Sequence, residues 1–261
     1  MQQVNKRLIA FGDSNTFGHG LPDCWDEKGK GPLDISSKLA WPEILSKLMN
    51  HKHNPVNKSW PGASNDMIWH EGLRFNYGNK DVAVFMWTYL GRISILADNK
   101  RGHSFNGMVN WVDDGWSREI LDHQYGKGSW ERNKFYFENF WEEYDAHLKL
   151  VMQINHMHEF LKAKGVQSHH IWIGGGVEAE KYMLKQHENN SWNNHKWFKL
   201  FTEMPGVMGE YFQPDINFLP YHIHAPDTCI DFAADGSHPG VETHKLIAGK
   251  IKTWMDDHSC K

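Results

Sequence analysis

The run Val82-Ala-Val-Phe-Met-Trp87 is apolar at six consecutive positions. A strand with one face in water alternates apolar and polar side chains; one that is apolar throughout has both faces covered. That pattern belongs to parallel sheets sandwiched between helices. The rest of the chain agrees. Arg7-Leu-Ile-Ala-Phe11 is a short apolar run stopped by Gly12, and Asn57-Lys-Ser-Trp60 reads as a second strand ended by Pro61-Gly62. His169-His-Ile-Trp-Ile173 reads as a fourth strand, and a weaker fifth falls within 216–223. Helical patterns separate them. The stretch 40–50 places Ile44, Leu45, Leu48 and Met49 on one face. Ser64 caps a helix carrying Met67, Ile68 and Leu73, with Asp66 near its positive end. Over 137–164, Leu148, Val151, Ile154, Met157, His158 and Leu161 recur at spacings of three and four, and Gly165 ends the helix. A closing helix covers 244–256. The alternation predicts an α/β protein with three layers, α/β/α, around a mostly parallel sheet of about five strands.

No period of 20–50 residues and no low-complexity linker divides the chain, so 261 residues are expected to form one domain. Two segments fall outside the strand–helix rhythm and read as insertions, at about 94–134 and 178–208. The first carries Trp111, Trp116, Tyr125 and Trp130; the second carries Trp192 and Trp197. Loops that long are often functional. The longest strongly apolar stretch, Val82 to Gly91, is far short of the roughly 20 residues of a membrane-spanning helix. The N-terminus lacks an apolar core and cleavage site of signal-peptide type, which predicts a cytoplasmic protein without a membrane span. A net charge of −4 with no basic block predicts no nucleic-acid partner. Cys24, Cys229 and Cys260 are odd in number and have no metal-site spacing, which suits a reducing compartment.

The chemistry concentrates at the two ends of the chain. Phe11-Gly-Asp-Ser-Asn-Thr-Phe-Gly18 follows the first strand directly, which puts Ser14 at the C-terminal edge of the sheet, where open α/β folds hold ligands. A serine hydroxyl is a poor nucleophile until a base takes its proton. Asp235-Gly-Ser-His-Pro239 supplies a base and a carboxylate three residues apart, close enough to reach the same side of a turn. That spacing suits Asp235 orienting His238, and His238 activating Ser14.

These two blocks resemble those of the SGNH subgroup of the GDSL esterases and lipases, in which the serine follows the first strand and Asp-x-x-His precedes the last helix. The resemblance covers the α/β pattern outside the two insertions. It implies the flavodoxin-like SGNH-hydrolase fold, with catalysis by Ser14, His238 and Asp235, and an oxyanion-hole glycine at Gly62 in Trp60-Pro-Gly-Ala-Ser-Asn65. The third block departs from the family. Where the pattern Gly-x-Asn-Asp places an oxyanion-binding asparagine, this chain has Met86-Trp-Thr-Tyr89, so Thr88 stands there. Losing one oxyanion donor costs about 10²–10³ in rate. Thr88 itself is the first expectation for that donor, with Asn65 and Arg92 as substitutes. The resemblance implies a serine hydrolase that cleaves carboxylic esters without a cofactor, on a small-molecule or carbohydrate ester; 13 Trp residues tilt this toward acetylated carbohydrate. The rival is a binding or structural protein on the same fold with little or no turnover.

Other features carry less. Gly174-Gly-Gly176 lacks the Lys-Ser/Thr of a phosphate loop. The pairs His156/His158, His169/His170 and His222/His224 lack the His-x-x-x-His spacing of a helical zinc site, so no metal is expected. Cys24 has no acid–base motif of its own.

Overall fold

The computed structural model describes residues 6–26, 31–49, 54–99, 102–109, 127–173, 218–221, 223 and 228–258. In chain order the elements are β1 (Arg7–Phe11), α1 (Ser14–Phe17), β2 (Trp25–Asp26), β3 (Gly31–Pro32), α2 (Trp41–Leu48), β4 (Asn54–Asn57), α3 (Asn65–Arg74), β5 (Val82–Trp87), β6 (Arg92–Asn99), β7 (Gly102–Val109), α4 (Ser129–Asn139), α5 (Glu143–Lys162), β8 (Gln167–Trp172), β9 (Phe218–Pro220) and α6 (Val241–His258).

Five strands form one sheet in the order β4-β1-β5-β8-β9, and each neighbouring pair is parallel. The fold is α/β as the apolar runs predict. Alternate residues of the buried strands supply two cores. Leu8, Ala10, Val82, Val84 and Met86 face α2 and α6, meeting Trp41, Leu45, Ile247 and Ile251. Ile9, Phe11, Ala83, Phe85 and Trp87 face α3 and α5, meeting Ile68, Leu150, Ile154 and Met157. This two-sided burial is why β5 tolerates no polar residue. Each large apolar side chain so buried contributes about 1.5–3 kcal/mol. No helix among the described residues is long and apolar enough to cross a membrane.

Four local expectations need correction. The second strand is Asn54–Asn57 and not 57–60. Pro55 obscures it, since proline is tolerated only where a strand edge leaves its missing N–H undemanded, and β4 is the sheet's edge. The 57–60 stretch still follows β1, through Lys58 N–H to Ala10 O and Trp60 N–H to Gly12 O. The helix expected over 137–164 is two helices, α4 and α5, with Glu142 in extended conformation at the junction; the apolar periodicity starts only at Leu148. The last helix begins at Val241, three residues before the expected His244. The first presumed insertion holds regular structure: β6 and β7 pair as an antiparallel hairpin from Arg92↔Val109 to Asn99↔Gly102, and α4 starts at Ser129. In that segment Trp130 is buried, with the Lys134 ammonium 5.2 Å from its ring centre. Trp111, Trp116 and Tyr125, the 178–208 segment, Gly174–Gly176, His222 and His224 lie outside the described residues.

Candidate active site

Strand order reverses between β1 and β5: the chain leaves β1 to lay β4 on one side and returns to lay β5 on the other. Ligands of doubly wound sheets bind in the crevice beyond the strand ends at such a point. Ser14 follows β1 and Thr88 follows β5, so both stand at this crevice.

Asp13 is the N-cap of the four-residue helix α1, its Oδ1 accepting the Asn15 N–H at 2.9 Å. Ser14 is therefore the first helical residue and is largely buried. Gly18 ends the turn in the left-handed region, and the chain runs on to Gly20. Gly20 has φ +81°, and a Cβ there would come within 2.9 Å of Ala233 and 3.0 Å of Asp235. Glycine is what lets the serine loop and the C-terminal loop touch; the Ala234 N–H donates to Gly20 O at 3.0 Å across the contact.

The C-terminal loop is pinned at both ends. Asp231 accepts the N–H groups of Glu242 and Thr243 at the start of α6, at 3.0 and 2.7 Å. Within the loop, Asp235 Oδ1 accepts the N–H groups of Ser237 and His238 at 3.0 and 3.1 Å. The loop thereby folds back so that the Asp235 and His238 side chains meet. His238 Nδ1 lies 2.5 Å from Asp235 Oδ2, and His238 Nε2 lies 2.9 Å from Ser14 Oγ, a residue 224 positions away.

The protons can be assigned. Burial pushes the Asp235 carboxyl upward, but the backbone N–H groups of His238 and Ser237 and the His238 side chain outweigh it, and the net shift is downward. An ionised carboxylate only accepts. His238 Nδ1 therefore donates to Asp235, and Nε2 faces the Ser14 hydroxyl. The three residues singled out in the end blocks are in direct contact, in the order that base activation of a serine requires.

The third-block residues are placed differently. Thr88 is fully buried, and its hydroxyl donates to Asp13 Oδ2 at 2.7 Å. Arg92 donates to the same carboxylate oxygen at 2.5 Å and to Thr88 Oγ1 at 3.0 Å, with its guanidinium 5.1 Å from the Tyr89 ring centre. A hydroxyl has one proton, and that of Thr88 is committed to Asp13. The Thr88 hydroxyl thus holds the buried cap of α1, whose charge Arg92 balances. Asn65, the first residue of α3, grips the Thr88 backbone from the other side. Its Oδ1 accepts the Thr88 N–H at 2.8 Å and its Nδ2 donates to Thr88 O at 3.2 Å. An amide nitrogen carries two protons, so one remains. Gly62 lies in the loop between β4 and α3 with φ +78°, and a Cβ there would meet nothing within 4 Å. It is a glycine for backbone conformation and not for space.

Sequence reasoning missed His19. Its ring centre lies 4.5 Å from that of His238 and its Nε2 lies 3.7 Å from Asp235 Oδ2. Burial, then the neighbouring His238, lowers its pKa, with Asp235 opposing. Five residues after Ser14, with no spacing motif to Asp235, it leaves no local signal. Of the described histidine pairs, His158, His169 and His170 are buried in the core, where His158 Nδ1 and His170 Nε2 both contact Ser168 Oγ, at 3.2 and 3.3 Å, and His170 Nδ1 accepts the Trp87 indole N–H at 3.2 Å; His156 is exposed and its Nδ1 accepts the Trp69 indole N–H at 3.1 Å. Cys24 is buried, donates to Gly18 O at 2.7 Å, and has its thiol pushed up to about 11, chiefly by burial. Burial there is the opposite of the electropositive, partly open setting that activates a thiolate.

No family model matches the chain. A chloroplastic ribonuclease E/G-like protein of Arabidopsis thaliana is 24% identical over 118 residues, which are 43% of this chain and 11% of that protein. The chain thus matches only about a tenth of that relative's length. Among solved structures, the chain is similar to TesA, with 12% identity and a TM-score of 0.49 over 97% of this chain and 99% of the other. It is similar to an active-site mutant of a family two carbohydrate esterase from Clostridium thermocellum, with 10% identity and a TM-score of 0.48 over 98% of this chain and 65% of the other. It is also similar to Est24, a carbohydrate acetylesterase from Sinorhizobium meliloti, with 10% identity and a TM-score of 0.46 over 97% and 99%.

Proposed function

We propose that this chain is a serine hydrolase of the SGNH type that cleaves carboxylic esters. The observation that carries the reading is the Ser14–His238–Asp235 relay, with contacts of 2.9 and 2.5 Å between residues from opposite ends of the chain. Ser14 Oγ attacks the acyl carbon while its proton passes to His238 Nε2 and the carbonyl electrons move onto oxygen. Asp235 holds the ring and stabilises the imidazolium. Collapse of the tetrahedral intermediate expels the alkoxide, which takes the proton back from His238. Water then repeats the sequence on the acyl-serine, again with His238 as base. The oxyanion is held by the backbone N–H groups of Ser14 and Gly62 and by the remaining amide proton of Asn65, while Thr88 and Arg92 maintain Asp13 beneath them.

The substrate class we propose is an acetylated carbohydrate. A groove of about 850 Å³, opening between α1 and the loop after β4, is lined by Phe17, Ile35 and Trp60 together with Asp23, Lys58 and Glu71. Trp60 is 55% exposed and Ile35 62%. A flat aromatic face beside carboxylates suits a sugar ring, whose C–H face is apolar and whose hydroxyls donate. A fluorophosphonate probe tests the activity: the wild type should be labelled at Ser14 and should hydrolyse p-nitrophenyl acetate, and Ser14→Ala should lose both while remaining folded. Absence of labelling in folded wild type overturns the reading in favour of a binding protein.

A further inference from the structure

The relay does not use His19, yet His19 closes a three-residue cluster around it. We propose that His19, Asp235 and His238 form a binding site for a divalent transition-metal ion of the zinc type, and that an ion held there switches the hydrolase off. The existence of the site stands on geometry alone; the switch rests on the hydrolase reading.

One ligand atom from each of the three residues can be chosen so that all lie within 4.8 Å of one another. His19 Nε2 and Asp235 Oδ2 are 3.7 Å apart. Zinc–nitrogen and zinc–oxygen bonds of about 2.0–2.2 Å in a tetrahedron put neighbouring ligand atoms about 3.3–3.5 Å apart, so that pair needs to close by a few tenths of an ångström, while His238 Nδ1, 2.5 Å from Asp235 Oδ2, would have to move out by about 0.8–1.0 Å to ligate beside it. The donor set, two imidazoles and one carboxylate with a fourth position open, is a zinc set. Calcium and magnesium, which take six or more oxygens or octahedral oxygen shells, do not fit it. The ring of His19 is steadied by Trp25, edge-on at 5.5 Å, and by His238 at 4.5 Å.

Occupancy and catalysis exclude each other through His238. Its Nε2 lone pair is the one that takes the Ser14 proton; an ion bound there removes the base. An ion bound at Nδ1 instead displaces the proton shared with Asp235, releasing it to solvent and breaking the other half of the relay. Metal-ligating histidines normally donate their second ring nitrogen to a carboxylate or carbonyl, which strengthens binding. His19 Nδ1 is buried and has no such partner among the described residues.

The test uses the full chain stripped of metal and titrated with zinc chloride by calorimetry, comparing wild type, Ser14→Ala, His19→Phe and His19→Asn. Phe retains the ring packing and Asn retains polarity, so one folded variant suffices; circular dichroism verifies folding. Expected is a binding event in wild type and Ser14→Ala that is weakened at least tenfold in the His19 variants. Zinc should slow fluorophosphonate labelling of wild-type Ser14, chelator should restore it, and the half-inhibiting zinc concentration should rise at least tenfold in the His19 variants. Binding through His19 with no labelling of metal-free wild type would uphold the site and overturn the hydrolase reading. Binding through His19 with equal labelling rates, with and without zinc, would overturn the switch. Equal zinc affinity in wild type and a folded His19 variant, or no binding at all, would overturn the site.

Discussion

The ends of β1 and β5 face the same crevice, and they use their polar residues in opposite ways. After β1, the Ser14 hydroxyl lies in hydrogen-bond contact with His238, and that chain of contacts ends on a carboxylate in a partly open loop. After β5, the Thr88 hydroxyl and the Arg92 guanidinium turn inward onto Asp13, which is 0% exposed. One set of groups forms a chain of contacts that ends at the crevice; the other is saturated by its own neighbours. A buried carboxylate without a counter-charge would cost several kcal/mol, and this demand is met by Arg92, with the Thr88 hydroxyl as a further donor. A side chain standing where the resemblance places a functional group is thus committed to a stronger electrostatic requirement next to it.

The largest expected effect lies on the relay side. Asp235→Asn keeps an oxygen for the Ser237 and His238 N–H groups but reverses the polarity at His238 Nδ1, so the ring carries its proton on the wrong nitrogen. The kcat for p-nitrophenyl acetate should fall about 10⁴-fold with little change in thermal midpoint. A loss of less than tenfold would remove Asp235 from the relay.

Asn65→Asp comes next. It preserves the acceptor for the Thr88 N–H and removes the amide protons, and kcat should drop about 10²–10³-fold. If Asn65→Asp is nearly silent in a folded enzyme, the oxyanion rests on backbone donors alone.

Arg92→Met should act through stability. It leaves Asp13 buried with only neutral donors, at a cost of about 3 kcal/mol, near the low end for broken buried pairs because Arg92 is 20% exposed. The midpoint in differential scanning calorimetry should fall by about 6–12 °C. Adding Asp13→Asn should recover much of it; no recovery would mean that Arg92 acts through its packing on Tyr89.

Acid should separate core from site. Burial first of all lowers His244 to about 4, and its Nδ1 accepts the Trp41 N–H at 3.1 Å. The unfolded chain takes up this proton at about 6.5 and the folded chain does not, so stability falls as pH drops from 6.5 to 4, by about 3 kcal/mol. His170, also lowered by burial, acts in the same direction. The stabilisation from Asp235 is full above the ordinary Asp range and is lost only as pH falls below it, since its folded carboxyl is held lower than that. Chemical denaturation at stepped pH should show His244→Gln flattening the upper window alone.

Thr88→Val should be the quietest change for catalysis: kcat within about threefold, with about 1–2 kcal/mol of stability lost as Asp13 forfeits a hydrogen bond. A fall of tenfold or more would restore Thr88 as an oxyanion donor.

Much of this was legible in the chain itself. The period-two division of Leu8/Ala10 from Ile9/Phe11 and the uninterrupted Val82–Trp87 run announced a sheet covered on both faces, because burial acts on each residue through its immediate neighbours in the strand. Ser64 as a cap and Gly165 as a stop are likewise local. The misread elements are those whose signal is masked or shared. Pro55 conceals an edge strand, and the break at Glu142 lies inside a run of aromatics that suits either a helix or a junction.

What the sequence alone determined is the layer architecture and the serine, histidine and aspartate blocks, because strand periodicity and three-residue turn spacing are properties of short segments. Only the tertiary structure decided where the Thr88 proton goes, which amide grips the end of β5, and that His19 stands beside His238. Those outcomes depend on lone pairs and protons competing across strands that sheet order brings together, and nothing in a linear chain records that competition.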